Sequence, residues 1–179
     1  MHLTTREFWT ALHGMVFGAG FLLLFSAAFM GIWNLGSPDL TPEAGARRLR
    51  RLILGTGCMT VLLWMAVLLG TYWVYPWYRA KPPANTTGAA LVDYPKYWLI
   101  SNPRTEEWHA FAMEWKEHLA WLAPILATAV TWILTCHGAA LIREARLRRV
   151  VLFLFAVAFF SAAVAGGLGA LINKAAPIR

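Results

Sequence analysis

The sequence predicts an all-α integral membrane protein whose four transmembrane helices form an up-down bundle. Of its 179 residues, 59% are hydrophobic and only 14% are charged, whereas a soluble domain is nearer half apolar and a quarter charged. No charged residue occurs in four long blocks, residues 8–35, 52–78, 119–142 and 150–173. Each block supplies the roughly 20 apolar residues that a helix needs to cross about 30 Å of hydrocarbon.

The whole chain, residues 1–179, is expected to form a single transmembrane domain. A soluble protein of this size could not bury four helices that are apolar on every face. The first apolar block is too long for the core of a signal peptide, so it is expected to remain as a membrane anchor. The expected spans and the long connection cover, in chain order, residues 8–35, 52–75, 76–107 (the connection), 110–142 and 150–173.

Arginines are concentrated in the first and third connections between the expected spans. These residues are Arg47, Arg48, Arg50, Arg51, Arg143, Arg146, Arg148 and Arg149. The positive-inside rule places both connections in the cytoplasm. Both termini and the loop at 76–107 are then expected in the periplasm, around the inner membrane of a bacterium. The net charge of +7 thus reflects topology, and no nucleic-acid partner is expected.

The first span contains His13 and a run of glycines. An ionisable residue inside a membrane is costly and is by default a functional candidate. Gly14 and Gly18 lie one turn apart on one face, where missing side chains would let the backbone approach a flat macrocycle. The alternative is that both belong to a helix-packing seam of small residues.

The later spans are delimited by aromatic residues, prolines and caps. The second is expected to end at Pro76, after an interfacial belt of aromatic residues. The third is expected to begin at Pro103, with Asn102 as its N-cap, and to run to about residue 145. It is longer than the membrane is thick, so its first turns should project into the periplasm. Pro124 is expected to interrupt its hydrogen bonding, and Asn173 to stop the fourth span.

His118 is expected at the same depth as His13, on the diagonally opposite helix of the bundle. Two imidazoles so placed can ligate the iron of one haem. The sequence therefore predicts His13 and His118 as axial ligands of haem b, with Gly14 and Gly18 as packing positions. His137 lies about 28 Å along the helix from His118 and is expected to be an interfacial residue.

Four further ionisable residues are candidates for binding a quinone: His109, Glu114, Lys116 and Glu117. Oxidation of a quinol needs proton acceptors near water. His109 is half a turn out of phase with His118, so only one of the two can face the interior, and depth favours His118. The alternatives are that the two glutamates are solvated, or that His109, Glu114, Glu117 and His118 hold a non-haem metal.

With one histidine in the first span and another at the start of the third, the chain resembles a small membrane b-type cytochrome subunit. The resemblance implies haem b on His13 and His118, with His109 as a further candidate. It also implies electron transfer between quinones and membrane or periplasmic redox partners, within a respiratory or photosynthetic oxidoreductase. Subunits with two stacked haems have four paired ligands, which this chain lacks. The alternative is a cofactor-free structural or assembly subunit of a larger membrane complex.

Overall fold

The computed structural model describes residues 3–178, and all regular structure within them is helical. Four helices are long and apolar enough to span a membrane, which confirms a multi-pass membrane protein: α1, α2, α4 and α5, at Thr5–Gly36, Pro42–Tyr78, Trp108–Arg143 and Ala145–Ala175. A 3₁₀ segment, Gly88–Asp93, and the short helix α3, Pro95–Ile100, lie in the connection between α2 and α4.

The starts of two helices differ from those expected because of side chains that cap the backbone. α2 begins earlier than expected, and α4 begins later. α2 begins at Pro42, well before residue 52, and the Thr41 hydroxyl accepts a hydrogen bond from the Ala44 amide at 3.3 Å. Proline at the first helical position after a threonine N-cap is a favoured start. α4 begins at Trp108 instead of Pro103, because the Asn102 side chain caps a turn, accepting from the Arg104 amide at 2.9 Å.

The four long helices pack around a continuous apolar core. α1 and α4 each pack against both α2 and α5. Aromatic rings join α1 to α5, with the Phe25 ring centroid 4.9 Å from that of Phe155 and 4.2 Å from that of Phe159. Large apolar side chains such as Leu23 and Phe153 remain exposed on the outside of the bundle, as lipid contact requires.

The ends of the bundle differ in composition. At the histidine end, named for His13 and His109, the start of α1 meets the end of α2, where the Trp9 and Trp73 centroids are 6.1 Å apart. Buried residues from α2, α3, α4, α5 and the tail form one apolar cluster there: Val74, Tyr78, Leu99, Ala112, Met113, Ile172, Ala176 and Ile178. The connection between α2 and α4 therefore packs onto the bundle.

At the arginine end, the connections are short and rich in arginine. Residues 37–41 join α1 to α2, and Glu144 alone separates α4 from α5. The Arg148 guanidinium packs against Gly36 and donates to the Leu141 carbonyl at 2.8 Å. Arg48 donates to the Asn34 carbonyl at 2.9 Å. Arginines thus hold the helix termini together at this end.

Three stretches of π-helix interrupt the long helices, and all three lie at the histidine end. They are Leu12–Gly18 in α1, Gly70–Val74 in α2 and Trp108–Met113 at the start of α4. π-helix is rare and is found preferentially at functional sites. One of these stretches contains His13 and another contains His109. The backbone geometry therefore indicates that a functional site lies at this end of the molecule.

Pro124 does not break α4. The helical dihedral angles are lost at His137 instead, where φ is −122° and ψ is 20°. The neighbouring Gly138 is buried against Leu49 of α2, whose side chain fills the space that a Cβ would take. The distortion therefore coincides with a close approach of two helices near the arginine end.

Candidate functional site

His13 lies between α1 and α2, in space left by a glycine. Its Nδ1 is 2.7 Å from the Ala66 carbonyl oxygen, and a Cβ on Gly70 would come within 2.6 Å of its Cε1. Because a carbonyl only accepts, Nδ1 carries the hydrogen, and in the neutral imidazole Nε2 keeps its lone pair. Such an orienting bond is the usual support of a histidine that binds a ligand or accepts a proton.

Lys116 enters the bundle from α4 in the same way. Its side chain is partly buried, and its Cε lies 2.7 Å from where a Cβ on Gly169 of α5 would stand. The Lys116 side chain lies near the His13 imidazole. The long aliphatic stem of lysine suits an apolar surface. Gly169 of α5 provides the space for this stem, and Lys116 of α4 provides the charge.

Glu117 presents a buried oxygen that nothing in the protein satisfies. Its Oε1 is the one buried side-chain oxygen or nitrogen in residues 3–178 without a hydrogen-bond partner. The Tyr75 hydroxyl lies beside the Glu117 carboxyl, and Arg79 donates to that hydroxyl at 2.7 Å. Since arginine only donates, Tyr75 keeps its own hydrogen, which is available only to the other carboxylate oxygen, because Oε1 has no partner. Exposed Arg79, the Tyr75 hydroxyl and partly buried Glu117 therefore lie next to one another as a polar path.

His109 forms a second polar pair next to this path. Its Nδ1 is 2.9 Å from the hydroxyl oxygen of Tyr78, a side chain that is only 2% exposed. The Tyr75 and Tyr78 rings are stacked with centroids 6.3 Å apart. The two tyrosines thus bring Glu117 and His109 to the same region of the histidine end.

His118 lies on the exposed face of α4, which reverses the orientation expected from depth. Its Nδ1 is bonded to the Glu114 carbonyl of its own helix at 2.7 Å. The inward positions are His109, Met113 and Lys116, at intervals of three and four residues. Two residues correspond to about 200° on a helix, so the inward side chain of Lys116 turns His118 outward. Depth in the membrane carried no information about this rotation.

The candidate residues fall into two groups by position. Those that the structure brings together at the histidine end are His13, His109, Lys116 and Glu117, joined by Tyr75 and Tyr78. Glu114 and Gly14 are exposed. A Cβ on Gly14 would meet no atom within 4 Å, and one on Gly18 would meet only the His13 carbonyl oxygen at 3.5 Å. The Cβ direction of neither glycine points at another helix of this chain.

His13 lies between helices, and His118 lies on the outer face of α4; their ligation of one haem stays a prediction. A non-haem metal is not supported. In the described part of the chain, no three His, Cys, Asp or Glu side chains are placed to hold a metal ion. His109, Glu114, Glu117 and His118 therefore do not form such a group.

The sequence interpretation missed Gly70, Gly169, Tyr75 and Tyr78 as parts of the site. Both tyrosines flank Pro76, in the aromatic belt expected at the end of the second span, and a position at the membrane interface explains them without any site. The two glycines give no local signal, because their role depends on which side chain of another helix faces them. Only the packed bundle reveals it.

Comparison with known proteins gives no further guide: no protein-family model, curated protein or solved structure matches this chain. A functional assignment therefore rests on the site and its chemistry.

We expect Gly70→Ala to displace His13 from Ala66. The new Cβ overlaps the imidazole ring, so the hydrogen bond of about 1 kcal/mol is lost. Nitrogen-15 NMR of histidine-labelled protein in nanodiscs should show loss of the bonded Nδ1–H signal, and the free energy of unfolding in detergent should fall. Gly14→Ala is the control: its Cβ meets open space, so stability should hold or rise by up to about 1 kcal/mol. Equal behaviour of the two variants contradicts the packing role of Gly70.

Proposed function

We propose that this chain is a subunit of a membrane redox complex whose histidine end binds a quinone head group and exchanges protons with it. The observation that carries the proposal is the buried Glu117 oxygen that lacks a hydrogen-bond donor. A buried unsatisfied carboxylate oxygen costs a protein several kcal/mol. A ligand that brings a hydroxyl group to it removes that penalty, and a quinol is such a ligand.

The other side chains complement the two redox forms of a quinone. Lys116 has three N–H donors and no acceptor, which suits the carbonyl oxygens of the oxidised form. Glu117 and the free Nε2 of His13 are acceptors, which suits the hydroxyl groups of the reduced form. Donors and acceptors therefore lie side by side. A quinone needs both, because its oxygens only accept hydrogen bonds in the oxidised form and also donate them in the reduced form.

Proton exchange with water has a route through tyrosine. The Tyr75 hydroxyl lies beside Glu117 and receives a hydrogen bond from exposed Arg79. Oxidation of one quinol releases two protons and two electrons. We assign both protons, one after the other, to Glu117, with Tyr75 leading from Glu117 towards the surface. We assign the electrons to a redox centre in a partner subunit.

Binding of a soluble quinone analogue tests the site. Decylubiquinol and a menaquinol analogue are titrated into the purified full-length chain in nanodiscs, and binding is followed by quenching of tryptophan fluorescence. Glu117→Gln removes the charged acceptor, and a hydrogen bond to a charged group contributes about 1.5–3 kcal/mol. We expect affinity for the quinol to fall roughly 10- to 100-fold.

Glu107→Gln is the matched control, because Glu107 is exposed and stands outside the path. It should leave affinity within about twofold of the parent chain. Unchanged affinity in Glu117→Gln, or no saturable binding to the intact parent chain, rejects the quinone site.

For topology, we propose an up-down arrangement with the arginine end in the cytoplasm and the histidine end in the periplasm of a bacterial inner membrane. The support is the concentration of arginines in the connections at the arginine end, which is typical of cytoplasmic loops. With Cys58 and Cys136 replaced by alanine, a single cysteine introduced as Ala84→Cys, in the long connection, or as Ala46→Cys, near the start of α2, tests it in intact cells. An impermeant maleimide should label the first and not the second, relative to the parent chain; the reverse pattern inverts the proposed topology.

Haem b remains a second candidate, in a different place from that expected. His118 is exposed, and its bonded Nδ1 leaves Nε2 pointing away from its own helix carbonyl. An axial ligand on an outer face would need its second ligand from a partner subunit. The bound group would then transfer electrons at that interface.

A reduced-minus-oxidised absorption spectrum of the assembled complex tests the haem proposal. A b-type band that His118→Ala abolishes and His137→Ala preserves supports ligation at the interface. If no band appears, or if the band survives in His118→Ala, the haem proposal is rejected. If the chain also binds no quinol, a cofactor-free structural or assembly subunit is the reading that remains.

A further inference from the structure

We propose that a groove between α1 and α2 at the arginine end binds one anionic phospholipid, with its phosphate on three arginines and its acyl chains along an apolar floor. This lipid site lies far from His13 and Glu117. It does not depend on the function proposed for the histidine end.

The groove has the lining that a lipid requires, and it is large enough for part of an acyl chain. Its volume is about 590 Å³, and its apolar lining includes Leu24, Ala27, Gly31, Leu52 and Met59. Small residues on both helices leave the gap, and Leu24 at its side is 47% exposed. The floor is therefore open to the hydrocarbon region, and an acyl chain can enter it without crossing a polar barrier.

Three arginines of α2 form the mouth of the groove. Arg47, Arg48 and Arg51 all line it, and their spacing places them on one side of the helix. Arg48 donates one hydrogen bond to the Asn34 carbonyl at 2.9 Å, which anchors it across the gap between α1 and α2. Its other donors remain for a ligand.

The charge of the mouth has no acidic counterpart in the protein. Arg47 and Arg51 are exposed, and among residues 3–178 neither makes an ion pair. The acidic residues nearest in sequence, Asp39 and Glu43, do not line the groove. Guanidinium groups bind phosphate oxygens in pairs of hydrogen bonds, and each basic residue at a membrane surface adds about 1 kcal/mol for an anionic lipid.

The combination of mouth and floor selects one class of ligand. A zwitterionic lipid brings its own cation to the headgroup, which opposes the three arginines. Free phosphate satisfies the arginines but leaves the apolar floor unfilled. A lipid with net negative charge and two acyl chains satisfies both parts.

Native mass spectrometry of the delipidated full-length chain tests the site, with phosphatidylglycerol and phosphatidylcholine of identical acyl chains as probes. We expect phosphatidylglycerol to bind in a one-to-one complex at least about 10-fold more tightly. The double variant Arg47→Gln/Arg51→Gln should lose about 10-fold or more of that affinity. Ala27→Phe, which fills the floor and changes no charge, should weaken it as well.

The control is Arg50→Gln/Arg143→Gln, which removes the same charge from two exposed arginines outside the groove. It should change affinity less than about twofold, and all variants should keep the parent's helicity and elution volume. Three results each overturn the proposal: equal binding of the two lipids, an equal loss in the control variant, or displacement of the lipid by millimolar inorganic phosphate.

Discussion

A polar side chain inside a membrane bundle needs both space and a partner, and in this protein glycines on neighbouring helices supply the space. His13 occupies the volume above Gly70, and Lys116 the volume beside Gly169. Without these gaps, both side chains would have to turn outward into hydrocarbon, where an ionisable group is costly. The histidine end therefore depends on small residues that carry no chemistry themselves. Its polar groups can meet because glycines on the facing helices leave room for their side chains.

The partners are supplied across helix interfaces. The Ala66 carbonyl receives His13, the Tyr75 hydroxyl accompanies Glu117 and the Tyr78 hydroxyl pairs with His109. All three partners belong to α2, while the ionisable groups come from α1 and α4. Further along, Thr60 and Thr131 are 3.0 Å apart across the α2–α4 interface, so the same helix is bonded to its neighbour near mid-length as well. α2 is thus the common scaffold of the polar contacts.

The sequence predicts features that each helix determines by itself, and it fails where contacts between distant parts of the chain decide. Charge-free blocks identify spans because the bilayer imposes length and apolarity on each helix independently. Helix rotation is set by packing between helices, so depth placed His118 inward although the interval from His109 to Lys116 turns it out. π-helical stretches shift the phase of a helix further, and no local pattern revealed them. Gly14 and Gly18 drew attention as a motif, while Gly70 and Gly169 gained their importance only from residues distant in the chain.

The turn at Glu144 has a consequence for the opposite end of the molecule. A single residue joins α4 to α5, and Arg148 closes the turn by donating to the carbonyls of Leu141 and Ile142. Counted from this turn, Lys116 lies about 40 Å back along α4 and Gly169 about 36 Å along α5, at 1.5 Å per residue. The two lengths differ by only about 4 Å, less than one helical turn, so the two residues come to nearly the same level. α4 and α5 thus form a helical hairpin. The tight turn at one end of the bundle determines that Lys116 and Gly169 meet at the other end.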